Sequence, residues 1–429
     1  MTMTPQNPAE RMVYHAIIYT WPIYVLGGLY ILGPVLAWVL GALAALALYL
    51  GPAMRADLRS TGPVPWIIWL WGIGMIIMLV VLWIGHANWN FVLMATVKSS
   101  IGWAKGWALL ALFPLIGAVL PIRREILVRG QSVLGLWIIC LLPLFIIAPM
   151  IGLPQQLFTS PLKAVGGPGP EYFTTYLYTR AHGTGIPRWQ FYAPWSPFAG
   201  LLGVVMVLFS LEEKDRRWML VGVLGGVAMV IMSRSRMGLI ALPICVFIPR
   251  MLPLLGQVWV WMAGSMVAAS MAAVFAPLRV EVEHSIAAIN NMRAGSNRVR
   301  STLERMAVER WESEAFWFGH GRVAPGSHLV EFMPIGSHHT WFGLLFVKGL
   351  VGFMALALAF FIHAALIAKD AVYHPRGRLP LGLMMVLMIL SLGENIEIEA
   401  YLLWPALMAL GIHARQMATG PSDLGHSTD

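Results

Sequence analysis

Apolar positions in this chain do not alternate with polar ones; they run on in long blocks. Twelve blocks can be marked off, at residues 13–32, 33–53, 63–85, 99–120, 131–151, 195–211, 218–232, 237–248, 257–277, 338–368, 379–393 and 400–412. Most approach the roughly 20 residues a helix needs to cross a hydrocarbon core, and a helix satisfies every backbone group within its own segment. The pattern therefore predicts an all-α polytopic membrane protein with about 12 transmembrane helices. A turn is expected at Gly33 and Pro34, between the first two spans. The blocks divide the chain into 1–153 (helices 1–5), a loop at 154–194, 195–277 (helices 6–9), a large polar loop at 278–337 between helices 9 and 10, 338–415 (helices 10–12) and a tail at 416–429.

Composition agrees with the pattern: 58% of the 429 residues are hydrophobic and 11% charged, against about 25% charged in soluble domains. The formal charge of +9 does not point to nucleic acid, because Lys and Arg fall in short connectors and form no patch. Cys140 and Cys245 sit inside apolar blocks, as small hydrophobes do. The opening stretch has neither a basic n-region nor a small-residue cleavage pattern, so the first span is expected to remain as a helix.

Connector charge sets orientation, since excess Lys and Arg marks the cytoplasmic side. With both termini cytoplasmic, that side carries Arg55, Arg59, Arg123, Arg124, Arg129, Arg216, Arg217, Arg250, Lys369, Arg376 and Arg378, while the short connectors of the other side carry few. The same parity gathers four polar features on the outer face. They are the 154–194 loop, the turn Ser233 to Arg236, the 278–337 segment leading into His338, and the turn from Glu394 to Glu399.

His338 and His339 precede a long apolar run in which Gly349 and Gly352 share a helical face, where a neighbouring helix can approach closely. A histidine at such a mouth titrates near neutral pH and can act as general base on a hydroxyl; an interfacial helix cap would look the same in sequence. Arg234 and Arg236 flank Ser235 in a tight turn between apolar spans, where charge is costly. The planar fork of arginine matches phosphate oxygens, although snorkelling to headgroups would also place it there. Arg180 and Arg188 lie in an aromatic-rich stretch of the 154–194 loop and are further candidates to hold a diphosphate.

Residues 297–318 read as an amphipathic helix over the outer face, a lid or a structural cap, with Arg300 near its start. Glu394, Glu397 and Glu399 form the acidic cluster of an outer turn; one of them, Glu397 being the choice here, could support an imidazole or pair with an arginine. His320, His328, His338 and His339 have no compact metal-ligand spacing, and no metal or other cofactor is expected.

These residues resemble the O-antigen ligase and Wzy-type polymerase superfamily of bacterial membrane glycosyltransferases. The ligase signature is a His, then Asn, Ser or Gln, nine residues, Gly, two residues and Gly; His338, Gly349 and Gly352 match, and His339 departs from it. Ser235 with Arg236 looks like the family's Ser-Arg step after a span, and 297–321 looks like the segment that precedes the family histidine. The similarity extends over residues 179–411; the first five spans match only in hydropathy.

The resemblance implies a metal-independent, inverting transfer of a glycan from undecaprenyl diphosphate to an acceptor sugar. In it His338 is the general base and Arg236, Arg188 and Arg180 hold the diphosphate, with His339, Glu397 and Arg300 in support. The site would face the periplasm from a bacterial inner membrane. The departure at His339 favours a polymerase, whose acceptor is another lipid-linked repeat unit, over a ligase acting on lipid A core. Chain-length regulators or other assembly proteins would be partners of the former. A transporter or flippase of lipid-linked glycans is the alternative from another class; it would concentrate ionisable groups at the bilayer midplane.

Overall fold

The computed structural model describes residues 4–50, 63–181, 185–257, 260, 262, 265, 266 and 294–419. Among them, eight helices are long and apolar enough to cross a membrane. The chain is thus a helical multi-pass membrane protein. Most of the ninth expected span and residues 278–293 of the following loop lie outside the described residues.

Helices α1 (Pro8–Ile18) and α2 (Thr20–Val25) lead into α3 (Leu29–Tyr49). The chain turns at Gly27, with φ +70°, and not at Gly33 and Pro34, which fall inside α3. Gly33 serves a helix crossing instead: a Cβ there would lie 2.7 Å from the carbonyl oxygen of Tyr401. Helix α4 (Trp66–Asn88) follows, then α5 (Leu93–Lys105) and α6 (Leu109–Val119), which meet at an irregular Gly106 within one candidate span, Leu93–Val119, where a single fourth span was expected. Helix α7 (Arg124–Met150) starts earlier than its hydropathy suggests, because Arg129 is neutralised within the bundle by Glu213 at 2.8 Å.

The short apolar helix α8 (Ser196–Ser210) is buried along nearly its whole length, enclosed by α7, α9 (Arg216–Ser233), α10 (Arg236–Met251) and α13 (Arg378–Ser391). Helix α12 (Thr340–Tyr373) packs along α4, and α14 (Ile396–Thr419) along α6 and α3. Close backbone approach through glycine substitutes for the hydrophobic drive that lipid removes. A Cβ on Gly74 of α4, for example, would lie 2.5 Å from the carbonyl oxygen of Ala355.

The far end of the bundle is closed by charge. Arg123 meets Glu10 at 2.7 Å and Arg124 meets Glu212 at 3.2 Å. Arg415 caps the carbonyl of Ile122 at 3.1 Å, and Asp370 accepts from Arg376 (3.0 Å), His374 (2.9 Å) and His413 (2.9 Å).

At the near end, the 154–194 loop contains two small antiparallel pairs, β1 (Gln156–Thr159) with β2 (Thr174–Tyr176) and β3 (Thr179–Arg180) with β4 (Pro187–Arg188). The loop is docked by polar aromatics: Trp189 Nε1 donates to the Phe145 carbonyl at 2.8 Å, and Tyr172 donates to Glu399 at 3.1 Å. Helix α11 (Ala294–Glu314) presents Val299, Leu303 and Ala307, one stripe at i, i+4 and i+8, to Val330, Ile335 and Phe346.

Helix α12 is not continuous. Gly349 has φ +61° and ψ −168°, outside helical geometry, and segment 316–321 enters the break. Leu350 and Val351 donate to the carbonyls of Phe316 (2.9 Å) and Trp317 (3.1 Å), while His320 and Gly321 donate to those of Phe346 and Val347, both at 2.9 Å. Backbone groups released by the break are thus paired within protein, as they must be where water is absent.

Candidate functional site

The start of α12 is fixed by its own side chains. His339 has extended backbone and caps the helix, its Nδ1 accepting from Phe342 N at 3.4 Å. The next residue, Thr340, donates through Oγ1 to the Glu394 carbonyl at 2.7 Å and accepts from Ile396 N at 3.0 Å. The following residue, Trp341, donates through Nε1 to Ser391 Oγ at 2.9 Å. These bonds staple the N-terminus of α12 to the connector between α13 and α14.

That staple brings a carboxylate to the imidazole. His338 adopts φ +62° immediately before the cap, and its Nδ1 lies 4.0 Å from Glu394 Oε2. The other Glu394 oxygen is 3.9 Å from Arg300 Nη2 on α11. His338 keeps 38% of its side chain exposed and Glu394 only 10%. Burial, and then the Arg300 charge, hold the His338 imidazole below its ordinary value; His339 is lowered by the same causes. Burial pushes the Glu394 carboxyl up to about 7 against the opposing pull of Arg300. His338 is therefore neutral at neutral pH, able to accept a proton, with a carboxyl group behind its other nitrogen.

The serine-arginine turn borders this group. Ser235 caps α10, accepting from Gly238 N at 3.0 Å and donating to the Pro197 carbonyl at 3.1 Å, while Arg234 closes α9 in the left-handed region. Both arginine side chains of the turn are exposed. Adjacent Met237 reaches Gly393: a Cβ built on that glycine would lie 3.6 Å from the methionine sulfur and 3.9 Å from Arg300 Nη1. The residue after Arg236 thus reaches, through its side chain, the residue before Glu394. Strand β4 adjoins the same turn, Trp189 N meeting the Met232 carbonyl at 3.4 Å, which sets Arg188 near the end of α9.

Two sequence candidates stand apart. Arg180 donates to Gly185 within its own hairpin at 2.9 Å and lies over the Tyr178 ring. Glu397 belongs to the first turn of α14, where Asn395 Nδ2 donates to it at 3.3 Å; the carboxylate facing His338 is Glu394. Gly349 and Gly352 also act differently from the helix-packing pair that sequence suggests. The first permits the break, and the second makes room for the Lys348 side chain.

Lys348 escaped the sequence reading. It is 2% exposed, and its Nζ donates to the Met78 carbonyl at 3.3 Å. The available signal was its position: it is the one Asp, Glu, Lys or Arg between residues 340 and 368. Among the described residues, no group of three or more His, Cys, Asp or Glu side chains converges as a metal ligand set.

No family model matches the chain, and no curated protein matches it either.

Proposed function

We propose that the chain is a glycosyltransferase of a bacterial inner membrane, with twelve spans, both termini cytoplasmic and the His338 face in the periplasm. It polymerises a surface polysaccharide, moving glycan from undecaprenyl diphosphate to the hydroxyl of another lipid-linked repeat unit. The observation that supports this reading is the neutral, half-exposed His338, backed by Glu394 at 4.0 Å beside a turn with two exposed guanidiniums.

The step balances without metal or nucleotide. His338 Nε2 takes the proton of the acceptor hydroxyl while Nδ1 faces Glu394, whose ionised form favours the developing imidazolium. The oxygen bonds to the anomeric carbon from the side opposite the leaving group, and the carbon–oxygen bond to diphosphate breaks with its electron pair. Arg236, with Arg188, meets the charge of the departing diphosphate.

The test incubates purified protein with an undecaprenyl-diphosphate-linked repeat unit, with and without lipid A core, followed by glycan gels. A ladder formed without core and lost in His338→Ala is the expected result. A single shift that requires core would make the protein a ligase. With a cognate donor, absence of any His338-dependent product would sink the enzyme reading in favour of transport.

A further inference from the structure

Where segment 316–321 enters the break in α12, a cleft of about 320 Å3 opens beside it, lined by Asn88, Trp89, Glu314, Phe316 and Trp317. Trp317 is 59% exposed and Trp89 41%. Their setting is held by bonds and ring contacts. Arg310 holds Glu314 through Nη2 at 2.8 Å, and His320 Nε2 meets the same carboxylate at 2.8 Å. The His320 ring is stacked on both Phe346 (4.1 Å) and Trp89 (4.9 Å), and Trp311 stacks on Phe316 at 4.9 Å. Arg310, and then His320, keep the Glu314 carboxyl down at about 2, so the cleft presents an ionised carboxylate, its charge offset by Arg310, as a hydrogen-bond acceptor next to aromatic faces and the Asn88 amide.

We propose that this cleft is a saccharide subsite, a proposal that rests on the transferase reading. A pyranose offers apolar C–H faces to an indole and hydroxyl donors to a carboxylate and an amide, which is the set of groups assembled here. An acyl chain would leave the Asn88 amide without a partner and cover the exposed edge of the Glu314–Arg310 pair. The placement also suits an extended glycan. Phe346, whose carbonyl holds His320, lies six residues beyond Thr340, or about 9 Å along the helix. A glycan with its reacting hydroxyl at His338 would thus reach the cleft with a sugar further along its chain.

Full-length protein in nanodiscs would be assayed in two ways. Rates would be measured against the concentration of lipid-linked repeat unit, and binding of the free oligosaccharide, released from that lipid by mild acid, would be followed by saturation-transfer NMR. Trp317→Ala should raise KM about tenfold with little change in kcat, the loss of one aromatic contact, and Trp317→Phe should recover most of it. Asn88→Ala, a truncation at an exposed position, should weaken binding in the same sense without a change in melting. His338→Ala should lose transfer and retain oligosaccharide binding. If transfer persists and KM and binding are unchanged in Trp317→Ala and Asn88→Ala, the cleft proposal is overturned and the transferase reading stands. Should the wild type bind oligosaccharide through Trp317 yet transfer nothing, the activity falls and the subsite remains. Quenching of Trp317 by brominated phospholipid but not by oligosaccharide would assign the cleft to lipid and overturn it.

Discussion

Replacing Gly349 by alanine tests the break in α12, the feature that joins segment 316–321 to the helix that follows His338. Its φ of +61° with ψ of −168° lies in a region that is essentially restricted to glycine. A β-carbon there would strike the carbonyl of Trp317 and the amide of Phe318, so segment 316–318 must withdraw. Withdrawal removes the partners of Leu350 N and Val351 N, now bonded at 2.9 and 3.1 Å. Backbone strain of about 1–3 kcal/mol and buried donors costing about 1–3 kcal/mol each put the loss near 4 kcal/mol after partial relaxation. Gly72→Ala is the internal control: it lies in α4 with no heavy atom within 4 Å of the added carbon. That substitution should be neutral or stabilise by about 0.5–1 kcal/mol. Thermal unfolding in detergent, followed by tryptophan fluorescence, should show Gly349→Ala melting well below wild type and Gly72→Ala at or above it. Equal melting of Gly349→Ala and wild type would refute the inserted segment as the partner of the broken helix.

Glu394→Gln should alter the pH dependence of stability. Because burial lifts the carboxyl from 4.5 to about 7, the folded state keeps a proton that the unfolded chain has already released. Stability is then lost as pH rises through that interval, by at most about 3 kcal/mol. The variant should melt with wild type near pH 4 and above it near pH 8; a lower melting point at the higher pH would contradict the buried, protonated carboxyl. Asp370→Asn should cost about 3 kcal/mol in a denaturation experiment, since Asp370 is 8% exposed and bonded to His374, His413 and Arg376, while KM for the lipid-linked substrate stays unchanged. A KM shift would mean that this far-end cluster communicates with the His338 end.

Helices were legible where hydropathy alone decides them. The run from 63 to 85 became α4 (Trp66–Asn88) with small changes at its ends, and the 297–318 stripe became α11 (Ala294–Glu314) packed through Val299, Leu303 and Ala307. Turns and breaks were less legible, because glycine has two uses that sequence does not separate. Gly27 turns the chain with φ +70°, whereas Gly33 stays helical to admit the Tyr401 backbone. Gly349 was expected to admit a helix and instead interrupts one. In each case the deciding contact comes from residues far away in sequence, so a local pattern carries no trace of it.

The same limit applies to the site. His338 stands out by its spacing from Gly349 and Gly352, but its carboxylate partner is selected by Thr340, whose hydroxyl ties residue 340 to both Glu394 and Ile396. Once that staple forms, helical geometry makes the choice among three glutamates. Glu394 remains in the connector facing the imidazole, Glu397 turns to Asn395, and Glu399 descends to Tyr172. Polarity therefore marks which residues are costly to embed, and topology decides which of them meet. Lys348 illustrates the first half of that statement. A lone ammonium in an apolar run, with one 3.3 Å bond to a carbonyl, is expensive enough to signal a role from sequence alone. Its burial beside the α12 break is set by the packing of α12 on α4, which its spacing from His338 does not foretell.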